Sequence, residues 1–177
     1  MAETKTVTAT TSESKAKRSE FYTFLNTGTT ESPKWVREGK FASDMTAQMN
    51  PQTTTTQDVT QDTAETDITG YQPSIAVSKS VSKTDPAYEY INDIRRNRKI
   101  LSEAYGQILN VDAFDKQSDG SYPAELQNVS IQVDTFGGSA SDPLTIAYTY
   151  NYRGDPILGK ATITDGKVTF TPNNSDT

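Results

Sequence analysis

The sequence predicts a mainly β protein flanked by one α-helix, with a two-sheet β-sandwich or barrel-like architecture. Apolar and polar residues alternate in its second half, as at Val129, Ile131 and Val133, which is typical of half-buried strands. Turn sequences rich in Gly, Pro, Asn and Asp separate the predicted strands. Only residues 85–101 have helical periodicity. The length of 177 residues suits one domain with a single core.

Three strands are predicted before the helix. The first begins at Phe21 and ends at the turn 26–28, and the second covers residues 35–37 and ends near Gly39. A turn at residues 71–74 leads into the third strand, which carries the chain to the helix.

The helix has a well-defined start. Asp85 can accept hydrogen bonds from the free amides of the first turn, and Pro86 suits the first helical position. Tyr88, Ile91 and Ile94 recur at three-residue spacing and form a narrow apolar stripe. We expect this stripe to pack on the sheet and Ile94 to be buried.

The strongest strand signals follow the helix. An irregular strand is predicted between Glu103 and Asp115, and a hairpin turn at residues 164–167. The other predicted elements are a turn at 118–121, strands at 128–134 and 144–152, a turn at 153–156, and strands at 157–163 and 168–170.

A long acidic segment without Lys or Arg extends from Asp44 to Ser78. Its run of Thr favours extended backbone, but no large apolar residues alternate along it to anchor it to a core. We interpret residues 44–70 as a projecting loop or hairpin, with a mobile surface loop as the alternative. The candidate assembly residues are Asp44, Asn50, Thr53, Thr54, Thr55, Thr56, Asp58, Asp62, Glu65 and Asp67.

Four basic residues cluster at the end of the helix. Lys and Arg suit the negative end of the helix dipole, but four are more than capping requires. One interpretation is a contact with phosphate or with an acidic surface on another copy of the chain, and the other is a solvated helix end. The residues are Arg95, Arg96, Arg98 and Lys99.

The chain contains no Cys and no His. Disulfides, Cys or His metal ligands, thiol nucleophiles and imidazole catalysis are therefore excluded, and we expect no enzyme, no metal site and no cofactor. Asp112, Asp115 and Asp119 resemble part of a calcium loop, but their spacing is not that of an EF-hand. Paired carboxylates such as Asp112 and Asp115 are better explained as a solvated strand end than as a glycosidase pair.

The termini are polar. We expect residues 1–20 to form an N-terminal arm, residues 21–171 to form the domain, and residues 172–177 to form a C-terminal tail. The N-terminus lacks the apolar region of a signal peptide, and no stretch is long enough to span a bilayer, so we expect a soluble protein without membrane contact. The net charge of -6 disfavours adhesion to DNA.

The order of several motifs resembles the major tail proteins, or tail tube proteins, of siphophages that infect Gram-positive bacteria. The resemblance covers roughly residues 21–171 and depends on the order and spacing of the motifs. They are Phe24-Leu25, Trp35 with Gly39, YQPSI from Tyr71, DPAYEYINDIRRNR from Asp85, VSIQVDTFGG from Val129 and YRGDPILGKATI from Tyr152.

This resemblance implies a structural subunit that self-assembles into hexameric rings, which stack into a tube conducting DNA during genome ejection. It implies that the loop at residues 44–70 bridges neighbouring rings. The expected partners are copies of the chain and other tail proteins such as the tape measure and the tail terminator. The expected location is the virion tail, assembled in the host cytoplasm.

A carbohydrate- or receptor-binding β-sandwich module of a phage or bacterial surface is the alternative function. Carbohydrate sites usually carry exposed aromatic residues on loops. Most aromatic residues here occupy alternating strand positions that a core would use, and Trp35 and Tyr71 are the exceptions.

Overall fold

The computed structural model describes residues 15–173, and within that range the chain is mainly β with a single α-helix. The helix, α1, is Pro86–Asn97, and short 3-10 helices cover Arg18–Glu20 and Leu101–Ala104. The predicted fold class is confirmed. The strands are β1 Phe21–Asn26, β2 Trp35–Arg37, β3 Ala42–Gln48, β4 Pro51–Thr56, β5 Glu65–Tyr71, β6 Ser74–Ser80, β7 Tyr105–Asp112, β8 Tyr122–Gly137, β9 Thr145–Tyr152, β10 Ile157–Thr164 and β11 Lys167–Pro172.

Nine strands form one antiparallel sheet that curls into a half-barrel, and β4 and β5 form a separate sheet of two strands. The order along the main sheet is β2-β1-β7-β8-β9-β6-β3, with β10 paired to β8 and β11 paired to β10. The long strand β8 makes this branch possible, because residues 122–126 pair with β10 and residues 129–137 pair with β9. Of the two predicted forms, the barrel-like one describes the main sheet.

Successive residues of β1 point to opposite faces of the sheet, and each face has its own apolar cluster. Leu25 belongs to the larger cluster, together with Ile91 and Ile94 of α1. Phe24 belongs to the smaller cluster, which includes Ala161 of β10 and Val168 of β11. The helix therefore covers one face of the central strands, and the strands β10 and β11 curl over the other.

The helix begins as predicted. The Oδ1 of Asp85 accepts a hydrogen bond from the backbone amide of Ala87 at 3.1 Å, and Pro86 follows the cap. The predicted end at Leu101 is wrong. The helix ends at Asn97 because Arg98 has a φ of 50° in the left-handed region, where the helical backbone cannot continue.

The chain after α1 also differs from the predicted strand 103–115. Leu101–Ala104 is a 3-10 turn that begins at a left-handed Leu101, with a φ of 50°. The strand β7 itself runs from Tyr105 to Asp112. The predicted hairpin turn is confirmed: Asp165 and Gly166 have φ values of 49° and 75°, as a tight turn between β10 and β11 requires.

The edge strands of the main sheet are β2 and β3, so the half-barrel is open between them. The guanidinium of Arg18 donates to the carbonyl of Met45 in β3 at 2.8 Å and to the carbonyl of Phe21 in β1 at 2.9 Å. The amide of Glu38 donates to the carbonyl of Thr23 at 2.8 Å, which extends the pairing of β2 with β1 by one residue. The contacts of Arg18 join β3 to β1, so the last part of the predicted N-terminal arm belongs to the folded domain.

The remaining predictions about the termini concern residues 1–14 and 174–177, which lie outside the described range. Across residues 15–173 there is no helix with the length and apolar content needed to cross a membrane.

Candidate functional site

The strands β4 and β5 form a projecting hairpin (residues 51–71). They pair antiparallel in the register Thr54 with Asp67 and Thr56 with Glu65. Every side chain from residue 51 to residue 69 is exposed. Within the described chain each strand pairs only with the other, so both outer edges carry unpaired backbone groups.

The projecting hairpin is anchored by polar contacts at its base. The side-chain amide of Asn50 donates to the carbonyl of Gln72 at 3.0 Å, and the amide of Gln72 donates to the carbonyl of Asn50 at 3.2 Å. Asn50 has a φ of 44°, which Asn tolerates better than most residues. The chain therefore leaves and rejoins the main sheet at one point.

The predicted projecting segment, residues 44–70, was too long at its start. Residues 44–48 belong to β3 and pair with residues 74–78 of β6 in the main sheet. Asp44 accordingly lies on the surface of the main sheet, where its Oδ1 accepts a hydrogen bond from Thr46. The other predicted assembly residues lie on the projecting hairpin or, in the case of Asn50, at its base: Asn50, Thr53, Thr54, Thr55, Thr56, Asp58, Asp62, Glu65 and Asp67.

The four basic residues at the end of α1 do not form one exposed patch. The guanidinium of Arg95 donates to Oδ1 of Asn92 at 2.8 Å and lies 3.8 Å from the centre of the Phe136 ring. Lys99 forms an ion pair with Asp93. The hydrogen bond between the two side chains of this ion pair lowers the pKa of the Asp93 carboxyl and raises the pKa of the Lys99 ammonium.

Arg96 and Arg98 remain exposed, and within residues 15–173 neither forms a side-chain hydrogen bond or an ion pair. The chain then turns through Ile100 and Leu101, whose side chains are 68% and 74% exposed. We call residues 96–101 the helix-end knob. It presents two free guanidinium groups beside two exposed apolar side chains.

A cavity of about 860 Å³ opens beneath the base of the projecting hairpin. Its floor is polar: Asn110 and Gln127 are 2% and 0% exposed. The Nδ2 of Asn110 donates to Oε1 of Glu125 at 2.8 Å and to the hydroxyl of Tyr152 at 2.7 Å. The rim includes the exposed apolar side chains of Met49, Tyr71 and Leu158. We call this the acidic cavity.

Three carboxyl groups line the acidic cavity, those of Asp112, Glu125 and Asp155, and no Lys or Arg lines it. Burial, with the charges of Glu125 and Asp115, raises the pKa of the Asp112 carboxyl. Burial and the charge of Glu125 raise the pKa of the Tyr152 hydroxyl to about 12. The cavity therefore concentrates negative charge without a neutralising base among its lining residues.

Gln127, which lines the acidic cavity, has one buried acceptor without a hydrogen-bond partner. The Nε2 of Gln127 donates to three backbone carbonyls, those of Asn128, Arg153 and Gly154, at 3.1 to 3.2 Å. This fixes the orientation of the amide, because rotating it would place Oε1 against the three carbonyls. The Oε1 of Gln127 is left without a partner. Leaving this buried acceptor unsatisfied costs about 1–3 kcal/mol.

A buried ionic network, which the sequence analysis missed, lies between the sheet and the start of α1. The Nζ of Lys79 contacts Oε2 of Glu38 at 3.0 Å and Oδ2 of Asp85 at 2.8 Å, and all three residues are buried. The hydroxyls of Tyr148 and Tyr150 donate to Oε1 of Glu38. Burial raises the pKa of both phenols well above the usual value.

Sequence signals existed for part of this network. Lys79 follows Ile75 and Val77 at two-residue spacing, which places it on the same buried face of β6. Asp85 was identified as the helix cap. Glu38 lies in a connection between strands, and no pattern in the sequence marked it as buried.

The acidic residues that resembled part of a calcium loop do not converge. Asp119 accepts hydrogen bonds from Lys160 at 2.8 Å and from the amide of Ser121 at 3.0 Å, and the contact with Lys160 lowers the pKa of its carboxyl. Asp112 lines the acidic cavity instead. Within the described range no group of three or more Asp or Glu side chains is placed to hold a metal ion.

No protein-family model matches the chain, and no curated protein sequence matches it. Among solved structures, it is similar to a chain in the cryo-EM structure of the anti-feeding prophage (AFP) baseplate, 6-fold symmetrised. The two share 9% sequence identity with a TM-score of 0.48, and the alignment covers 82% of this chain and 96% of the other.

Proposed function

We propose that the chain is a structural, self-assembling subunit of a siphophage tail tube, in which hexameric rings stack into a tube that conducts DNA during genome ejection. The observation that carries this proposal is the projecting hairpin, whose residues 51–69 are all exposed. An isolated two-stranded hairpin is marginally stable in water, and ordering each residue costs roughly 1–2 kcal/mol of backbone entropy. Contacts with another copy of the chain supply the missing stabilisation.

The sequence motifs that resemble tail tube proteins support the same proposal, in which the projecting hairpin bridges one ring to the next. Unpaired strand edges on both sides of the hairpin suit pairing with a neighbouring chain. Other tail proteins, such as the tape measure and the tail terminator, would contact the ends and the interior of the tube. The subunit would assemble in the host cytoplasm and remain in the virion tail.

The charge of the chain suits passage of DNA without adhesion. The net charge is -6. The projecting hairpin contains no Lys or Arg and carries four of the acidic residues: Asp58, Asp62, Glu65 and Asp67. Fixed negative charge repels phosphate, so DNA moves along such a surface without binding. On this proposal the protein is not an enzyme, and its sites are assembly contacts.

Negative-stain electron microscopy and sedimentation velocity of the purified chain test the proposal. We expect rings or tubes whose abundance rises with protein concentration. Particles that remain monomeric at the highest soluble concentration, at both low and moderate salt, would refute self-assembly. A monomer that binds a bacterial surface glycan would instead support the carbohydrate- or receptor-binding module.

A further inference from the structure

The acidic cavity and the helix-end knob are complementary in charge and in polarity. The knob presents the free guanidinium groups of Arg96 and Arg98 beside exposed Ile100 and Leu101. The cavity presents three carboxyl groups within a rim of exposed apolar side chains. A planar guanidinium with several donors matches such a set of acceptors better than a neutral or anionic group does.

The two surfaces lie at opposite ends of the strand β7. The knob is joined to the strand through Leu101–Ala104, which precedes Tyr105 directly. The cavity is lined by Asn110 and Asp112 at the other end of the same strand. At about 3.4 Å per residue the strand spans roughly 24 Å. The knob of one molecule therefore cannot fill the cavity of the same molecule.

The geometry points to a head-to-tail contact in which the helix-end knob of one copy enters the acidic cavity of the next. Arg96 or Arg98 pairs with the carboxyl groups of Asp112, Glu125 and Asp155, while Ile100 and Leu101 cover the apolar rim. A contact between two different surfaces of one chain generates a closed ring or an open filament. This inference rests on the proposed self-assembly and names the contact that joins neighbouring subunits.

Two variants of the full chain test the contributions of the knob and of the cavity separately. The knob variant is Arg96→Glu with Arg98→Glu, and the cavity variant is Asp112→Asn with Asp155→Lys. A control with Lys34→Glu and Lys83→Glu, both exposed residues that belong neither to the knob nor to the lining of the cavity, changes the net charge as much as the knob variant does. Circular dichroism checks that each variant is folded. If the cavity variant is not folded, Asp155→Lys alone replaces it, because Asp155 is an exposed turn residue.

Sedimentation velocity over a range of protein concentrations measures the degree of assembly of each variant. We expect the wild type and the control to assemble, and each variant alone to need about tenfold or more protein for the same degree of assembly. A mixture of the two variants is the decisive sample. The intact knob of the cavity variant meets the intact cavity of the knob variant. Each copy then lacks its second head-to-tail contact, so growth through this contact stops at dimers.

The possible outcomes distinguish this contact from self-assembly in general. If both variants assemble as the wild type does, the knob and the cavity are not the contact, while self-assembly stands. If the knob variant fails to assemble and the mixture forms no dimers, the Arg side chains act at another surface and the pairing is wrong. A monomeric wild type overturns both the contact and self-assembly. A neutral oligosaccharide that binds the cavity of the wild type without changing its assembly also overturns the contact.

Discussion

The ammonium nitrogen of Lys79 lies 2.8 Å from Oδ2 of Asp85, which joins the end of β6 to the first turn of α1 inside the core. Asp85 makes a second contact, because its Oδ1 accepts a hydrogen bond from the backbone amide of Ala87. Glu38 adds a second carboxylate to the same ammonium. One buried cation thus fixes the position of the helix relative to the sheet.

We expect Lys79→Met to destabilise the fold by about 3–5 kcal/mol, because it leaves Glu38 and Asp85 buried without a cation. Urea unfolding measures the change. The triple variant with Glu38→Gln and Asp85→Asn should recover much of the loss, since it removes both charges and keeps the capping oxygen. If Lys79→Met unfolds at the same urea concentration as the wild type, the network does not stabilise the native state.

The helix should contribute through packing. Ile94 is 4% exposed and belongs to the larger apolar cluster. Ile94→Ala should therefore cost about 2–5 kcal/mol of unfolding free energy, whereas Ile100→Ala, at a residue that is 68% exposed, should change it by less than about 0.5 kcal/mol. Thermal and urea unfolding of the two variants checks the contrast, and equal effects would contradict the packing role of α1.

The stability of the protein should fall above about pH 10. Burial raises the pKa of the phenols of Tyr148, Tyr150 and Tyr152, the last to about 12. Above the ordinary Tyr pKa the unfolded chain releases these protons while the folded chain keeps them, so the free energy of unfolding decreases as pH rises. Below that pH all three phenols are neutral in both states and contribute no pH dependence.

Urea unfolding at about pH 9 and at about pH 11 measures this loss, and phenolate absorbance reports the titration. Tyr152→Phe removes one of the three phenols and should reduce the difference in stability between the two pH values. A stability that is constant across this range would show that these phenols ionise equally in the folded and unfolded states.

Features that depend on neighbouring residues could be predicted from the sequence. Contacts between residues far apart in the chain could not. The cap at Asp85 and the turn at Asp165–Gly166 were predicted because their geometry depends on a few neighbouring residues. The ion pair between Lys79 and Glu38 joins residues separated by 41 positions, and no periodicity connects them. The end of α1 was missed because Arg98 adopts a left-handed conformation that its side chain does not favour.

The same contrast separates the projecting hairpin, which was predicted from local sequence, from the acidic cavity, which was not. The projecting hairpin was predicted because its exposure follows from its own composition, with Thr-rich sequence and no alternating apolar residues. The hairpin starts at residue 51 because residues 44–48 pair with β6 in the main sheet, which the sequence of residues 44–48 did not indicate. The acidic cavity was missed because residues from several separate segments, among them β7, β8 and the turn at 153–156, form it.

The projecting hairpin provides the final prediction. In the free subunit we expect the amides of residues 52–69 to exchange rapidly with solvent, because a two-stranded ribbon without a covered face opens at low cost. In the assembled protein the same amides should be protected, since a neighbouring copy then covers them. Hydrogen exchange followed by mass spectrometry compares the two states, and equal protection in both would mean that the hairpin needs no partner.

Replacing Pro51–Asp67 by a short Gly/Ser linker should leave a folded domain, because every side chain it removes is exposed and the base contacts of Asn50 remain. The linker variant keeps Met49 and Tyr71 at the rim of the acidic cavity, so it preserves the proposed contact between the cavity and the helix-end knob. If the hairpin bridges stacked rings, the variant should form single rings and no tubes under the electron microscope. The variant Asp58→Asn keeps the hairpin and serves as the control. Long tubes from the linker variant would show that stacking uses another surface, because no part of the hairpin tip would be left to reach the next ring.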